Sequence, residues 1–166
     1  MSADLPIPSR MSNFIAITED RGDIAVKGLL KCSCGRKNFS VYYFGKKGLN
    51  IPLLSSAKKT KYGGGRRIVL IAKCNDCKAQ LLIYDSFTDN RENHKKSESK
   101  ITGNYHNFNC SRCSQSNLNL SVAYNSCGKD KLAWQNMFSW KECFEEIFIS
   151  GVCVGCNKIY DALLEE

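Results

Sequence analysis

Ten cysteines in a chain of 166 residues are the side chains best suited to chemistry. They stand at positions 32, 34, 74, 77, 110, 113, 127, 143, 153 and 156, and eight form four close pairs, CSC, CNDC, CSRC and CVGC. A C-x-x-C spacing lets two thiolates converge on one ion while amides of the intervening turn hydrogen-bond the sulfurs. Two such pairs supply the four thiolates of a closed tetrahedral zinc site, with Zn–S near ~2.3 Å. The expected ligands are Cys32, Cys34, Cys74 and Cys77 for one zinc ion. Cys110, Cys113, Cys153 and Cys156 are expected to hold a second. Spacing alone leaves cross-pairing open, for instance Cys32 and Cys34 with Cys153 and Cys156. Reduced core cysteines or redox pairs are the competing reading, but neither requires four pairs in matching register. Cys127 and Cys143 have no close partner and read as small hydrophobic fillers. Of the two histidines, His94 lies in a polar run, and His106, four residues before Cys110, is only a spare candidate for a ligand.

The register repeats. Thirty-nine residues separate Cys34 from Cys74, and 39 separate Cys113 from Cys153. A shift of 79 carries Cys74 and Cys77 onto Cys153 and Cys156, and Ile68 and Leu70 onto Ile147 and Ile149. NFSVYYF at 38–44 matches NLSVAYN at 119–125 with a shift of 81, which implies a two-residue insertion. Each copy closes on the tripeptide IYD. This is an internal repeat of about 80 residues.

Strands must position these pairs. Leu118, Leu120, Val122 and Tyr124 alternate strictly in LNLSVAY, as do Phe39, Val41 and Tyr43 in the first copy. Such alternation predicts half-buried strands. IVLIAKC at 68–74 and IFISGVC at 147–153 lead into the second pairs as strands. Knuckle, strand, strand, knuckle is the zinc-ribbon arrangement. The expected fold is mainly β with a small α+β content: two tandem zinc-ribbon-like antiparallel units at 27–85 and 107–166, joined by a polar linker at 86–106. FIAIT and DIAV predict a hairpin or strand within residues 1–26, and the RGD at 21–23 reads as a turn.

The layout CxCG, then F-x-V-x-Y, then LIAKCNDCK and IYD, resembles small, largely uncharacterised bacterial proteins with paired C-x-x-C knuckles. The second half is similar, with W-x-x-x-F-x-W at 134–140 ahead of its last pair. The resemblance covers roughly residues 30–161 and implies tandem zinc ribbons. Some zinc-ribbon families bind nucleic acid and others hold subunits together. The chain departs from the most regular knuckle at Lys78 and Ser114, where glycine often follows the second cysteine. Cys32–Ser33–Cys34 is also one residue shorter than its counterpart.

Charge is lopsided. The net charge is +8, yet residues 27–78 alone carry +12, and the flanks 1–26 and 79–166 carry −2 each. The basic loop 45–67 has seven Lys or Arg and no acid, with three glycines at 63–65. Lys58, Lys59, Lys61, Arg66 and Arg67 suit phosphate contacts, and Tyr62 could stack on a base. A solvated loop that serves solubility is the alternative. Two four-thiolate zinc centres, each formally −2, would lower the net charge to about +4. Trp134, Phe138 and Trp140 offer either core for the second ribbon or a face for a protein partner.

No catalytic set emerges. GGGRR lacks the order of a phosphate loop, two histidines are too few for most acid–base schemes, and four full cysteine pairs imply closed metal sites. The start, MSADLPIPSRMSNFIAITED, has no apolar run of signal-peptide length. The longest aliphatic run, IVLIA, is too short to span a membrane. A cytoplasmic location is expected, where dense cysteines favour metal over disulfides. Without cysteine the apolar share is only about 37%, so a metal staple suits the thin core. The expectation is a non-enzymatic zinc module that binds nucleic acid through the first ribbon. The alternative is a protein-interaction module, an adaptor or an inhibitor or immunity-type protein, using the aromatic second ribbon.

Overall fold

The structure is a computed structural model that describes residues 5, 7–22, 24–44, 69–85, 105–126 and 144–165. The fold is mainly β, as the alternation predicts. Among the described residues one 3-10 turn, Ser9–Met11, precedes nine strands. These are β1 (Ile15–Asp20), β2 (Ala25–Leu30), β3 (Asn38–Phe44), β4 (Val69–Cys74) and β5 (Gln80–Asp85). β6 (Tyr105–Asn107), β7 (Asn117–Ser126), β8 (Phe144–Cys153) and β9 (Ile159–Glu165) follow. All belong to one antiparallel sheet.

Alternation sets the inner face. Leu118, Leu120, Val122 and Tyr124 are all buried on β7, and Phe39 and Val41 on β3, with Tyr43 half-buried. They join Leu70, Ala72, Ile83, Ile147 and Ile149 in one core that spans both copies. Each fully buried Leu or Val contributes about 1.5–3 kcal/mol relative to exposure. β1 and β2 form a hairpin, closed by the Arg21 amide donating to the Ala25 carbonyl at 2.9 Å. There the Gly22 amide donates to Asp20 Oδ1 at 2.7 Å. Gly28 on β2 is required by close approach: a Cβ there would lie 2.3 Å from Ile15 Cγ2 and 2.7 Å from the Ala16 carbonyl oxygen.

The two copies meet at a pseudo-two-fold axis. β3 and β7 pair antiparallel as Asn38↔Asn119, Phe39↔Leu118 and Ser40↔Asn117. Phe39 also pairs with Cys74, and Leu118 with Cys153. The Asn75 amide donates to the Asn38 carbonyl, and the Val154 amide donates to the Asn117 carbonyl, both at 3.0 Å. Every one of these correspondences has the shift of 79 that relates Cys34, Cys74 and Cys77 to Cys113, Cys153 and Cys156. The shift of 81 suggested by NFSVYYF and NLSVAYN is therefore corrected: the structure needs no insertion. A slip of two leaves a strand's inward face unchanged, so the sequence match kept the correct polarity with the wrong partners.

The copies are also interlocked. β2 leads into Cys32 and β6 leads into Cys110, so the two strands are counterparts. β2 pairs with β7 through Leu29↔Ser121 and Gly28↔Val122. β6 pairs with β3 through Asn107↔Tyr42 and His106↔Tyr43. Each entry strand thus joins the hairpin of the other copy. The stretch expected as linker runs into β6 at Tyr105, and residues 86–104 lie outside the described ones.

Candidate metal centres

Each cysteine pair sits in a tight turn with one recurring hydrogen-bond pattern. The Cys74, Cys110 and Cys153 amides donate to the carbonyls of Ala79, Gln115 and Lys158. In return, the amides of Lys78, Ser114 and Asn157 donate to the carbonyls of Cys74, Cys110 and Cys153. The shorter CSC turn keeps the pattern with one residue fewer: Cys32 donates to Arg36, and Gly35 donates to Cys32. The residue after the second cysteine is left-handed in all four turns. The φ angles are 87° at Gly35, 65° at Lys78, 62° at Ser114 and 57° at Asn157. This conformation turns the chain back toward the sulfurs, which explains the preference for glycine there. Lys78 and Ser114 adopt it at a steric cost that Gly35 avoids and Asn157 reduces.

The turns bring the sulfurs together in two groups, Cys32–Cys34–Cys74–Cys77 and Cys110–Cys113–Cys153–Cys156, each with all sulfurs within 4.8 Å of one another. Pairing is within each copy, which resolves the cross-pairing left open by spacing. The nearest separations are 3.4 Å (Cys32–Cys77), 3.7 Å (Cys34–Cys74), 3.5 Å (Cys110–Cys156) and 3.4 Å (Cys113–Cys153). A disulfide would need about 2.05 Å. A tetrahedron of thiolates around zinc at ~2.3 Å has edges of about 3.8 Å. The four separate thiols therefore fit a tetrahedral ion closely. The leading cysteines Cys32, Cys74, Cys110 and Cys153 are buried. Cys34 and Cys77 are exposed, and Cys113 and Cys156 half-buried.

Amides and neighbouring sulfurs decide where negative charge settles. Tyr160 donates its hydroxyl hydrogen to Cys110 Sγ at 3.2 Å. With the Arg112 amide at 3.4 Å, it overrides burial and holds the Cys110 thiol down at about 5. Burial opposes ionisation of Cys32, but the Cys34 amide and the other three sulfurs bring it down to about 7. The Ala79 amide favours a thiolate at Cys77, yet the sulfurs of Cys32 and Cys34 push it up to about 12. Cys113 behaves alike: the Gln115 amide favours its thiolate, but burial and the sulfur of Cys153 drive it up to about 12. Burial, followed by the Cys110 sulfur, raises the Tyr160 hydroxyl, which stays a donor.

Tyr160 was legible only as part of the repeated IYD, and that reading is corrected. Tyr160 pairs with Gly151 opposite, the place held in the first copy by Leu81 opposite Ala72. Tyr84 lies beyond the register shift of β5, opposite Leu70, and is fully buried in the core. The sequence did carry the signal: Ile83 stands six residues after Cys77, whereas Ile159 stands three after Cys156. Around Tyr160, the Ser111 amide donates to its oxygen at 2.9 Å, and Phe108 packs edge-on at 5.0 Å between ring centroids.

His106 lies against the ring of Tyr43 at 5.2 Å between centroids, and the group around Cys110 consists of cysteines alone. Lys58, Lys59, Lys61, Tyr62, Arg66 and Arg67 lie outside the described residues, as do Trp134, Phe138, Trp140, Cys127, Cys143 and His94. Among the described residues no helix is long and apolar enough to cross a membrane. No protein-family model matches the chain, and neither a curated protein nor a solved structure matches it.

Proposed function

We propose that the tetrads hold two structural zinc ions and that the protein is a non-enzymatic module binding single-stranded nucleic acid on the side of its first centre. Four-thiolate sets favour zinc and leave no open position for a substrate. The observation that carries the nucleic-acid reading is a contrast between equivalent positions. Lys31, Arg36, Lys37, Lys73 and Lys78 flank the first centre, and their counterparts Asn109, Gln115, Ser116, Val152 and Asn157 are neutral. The same copy carries the basic loop 45–67. Arg112 and Lys158 are the cations beside the second centre and Asp76 the acid beside the first, so the excess of positive charge lies with the first copy. Phosphates are drawn to such an excess, and Tyr62 of the basic loop is an aromatic ring suited to stacking.

The test is an anisotropy titration of the zinc-loaded protein with single- and double-stranded DNA and RNA at two salt concentrations. With about three to five phosphates engaged, single-strand affinity should fall with a log–log salt slope near −2 to −3.5. Replacing Lys58, Lys59, Lys61, Arg66 and Arg67 with Ser should flatten that slope. Binding no tighter than that of an unrelated protein of equal net charge would refute this reading.

A protein-interaction role is the second reading. Val152, Val154 and Ile159 are exposed by 36, 44 and 63% around the second centre, where the first copy has Lys73, Asn75 and Gln80. An interface anchored there and on Trp134, Phe138 and Trp140 would resist salt.

A further inference from the structure

The two tetrads share a frame but not a surrounding, and four differences point the same way. Cys34 and Cys77 of the first tetrad are exposed, whereas Cys113 and Cys156 of the second are half-buried. Second, the Tyr160 hydroxyl bonded to Cys110 has an apolar counterpart, Leu81, at the first centre. A hydrogen bond to a thiolate withdraws electron density from the sulfur and makes it a poorer nucleophile.

The third difference is the clasp across the two turns of each centre. At the second centre, Gln115 lies against Gly155 so closely that a Cβ on Gly155 would fall 2.0 Å from Gln115 Oε1. The same two positions at the first centre are Arg36 and Asp76. They form an ion pair at 3.8 Å whose side chains are 69 and 48% exposed. Such a pair holds weakly and is easily opened by salt. Fourth, the second centre has an outer polar cover: Lys158 Nζ donates to Ser111 Oγ at 2.7 Å and sits 5.3 Å from the Tyr160 ring centre.

Resting on the zinc reading above, we propose that the first tetrad is a thiolate-reactive centre that yields its ion to peroxides, while the second is a permanent structural lock. Hydrogen peroxide takes two electrons from the Cys34 and Cys77 thiolates. A disulfide forms between their sulfurs, the O–O bond breaks, and two protons from solvent complete two water molecules. The ion then leaves, because Cys32 and Cys74 alone cannot fill four positions. The entry strands interlock the two copies, so the second centre keeps the sheet together while the first opens. The chemistry confines the response to the copy that also carries the positive charge.

The experiment uses the full chain loaded with two zinc ions. It is treated with limiting hydrogen peroxide and, in parallel, with N-ethylmaleimide. Native mass spectrometry counts the ions, and peptide mapping locates the modified cysteines. A one-zinc species should accumulate, with a Cys34–Cys77 disulfide in the peroxide arm and Cys34 and Cys77 labelled in the other. The first tetrad should react roughly tenfold faster than the second. Tyr160→Phe should accelerate modification of the second tetrad several-fold and leave the first unchanged. Simultaneous loss of both ions, first modification at Cys113 or Cys156, or an unaltered second-tetrad rate in Tyr160→Phe would overturn the proposal. Protein that carries no zinc as purified and takes up none would instead overturn the zinc reading, a result distinct from equal reactivity of two loaded centres.

Discussion

The side-chain amide of Asn75 donates to the side-chain oxygens of both Asn38 and Asn117, at 2.9 Å each. Asn38 and Asn117 are counterparts in the two copies, so one residue of one turn ties the copies across their pseudo-axis. Ser40 completes the link by donating to Asn75 Oδ1 at 2.7 Å. The counterpart of Asn75 is Val154, which is 44% exposed. The bridge therefore breaks the symmetry of the repeat.

Asn75→Ala removes these three hydrogen bonds and strips the half-buried Asn38 and Asn117 side-chain oxygens of this donor, while the buried Ser40 keeps Ser116 as a partner. Stability should fall by about 1–3 kcal/mol. Urea unfolding in excess zinc checks this, with native mass spectrometry confirming that both ions remain. An unchanged midpoint would show that the bridge adds nothing to the junction.

Left-handed backbone costs an ordinary residue about 1–2 kcal/mol relative to glycine. Lys78→Gly and Ser114→Gly should each raise stability by about 1 kcal/mol, offset in part by the added entropy of the unfolded chain. Gly35→Ala should lower it by a similar amount. Denaturation of the zinc-loaded variants reads both signs, and a loss at Lys78→Gly would show that its side-chain bond to the Asn75 carbonyl outweighs the strain.

Gly28→Ala forces β1 away from β2, because the obstacle includes the backbone oxygen of Ala16. A cost of roughly 1–3 kcal/mol is expected. Hydrogen exchange should quicken at Ile15–Ile17 while the amides of the four cysteine turns keep their protection. Loss of protection throughout the sheet would mean that β1 is part of the cooperative core rather than its edge.

Zinc removal should unfold the sheet, since in thinly cored metal domains the binding free energy is folding free energy, apparent values being about 10–16 kcal/mol. Chelation followed by circular dichroism tests this. Cys153→Ser should halve the zinc content to one ion, whereas Cys127→Ala should leave two. Equal damage from both substitutions would show that ligands and fillers have been divided wrongly.

Much of the design was legible in one dimension. The spacing of the cysteines reported both tetrads because a tight turn makes two ligands from one short motif, and alternation reported the inner face because strand side chains repeat every two residues. Where the sequence misled, local identity competed with register. The SVxY match and the IYD tripeptide aligned residues that the sheet places two and three positions apart. A slip of two preserves facing, and a bulge absorbs an odd offset, so neither error disturbs the hydrophobic pattern.

What only the tertiary structure decided is the exchange of β2 and β6 between the copies and the inequality of the two centres. Strand alternation states which face is buried but not which edge is paired, since backbone hydrogen bonds are blind to side-chain identity. Either copy could have kept its own entry strand with the same pattern. The inequality likewise arises from residues distant in the chain that meet only after folding: Tyr160 with Cys110, Gln115 with Gly155, and Arg36 with Asp76. The sequence determined that two cysteine tetrads would form, because their members come in local pairs. Folding determined how each is covered, because cover comes from non-local contacts that no spacing records.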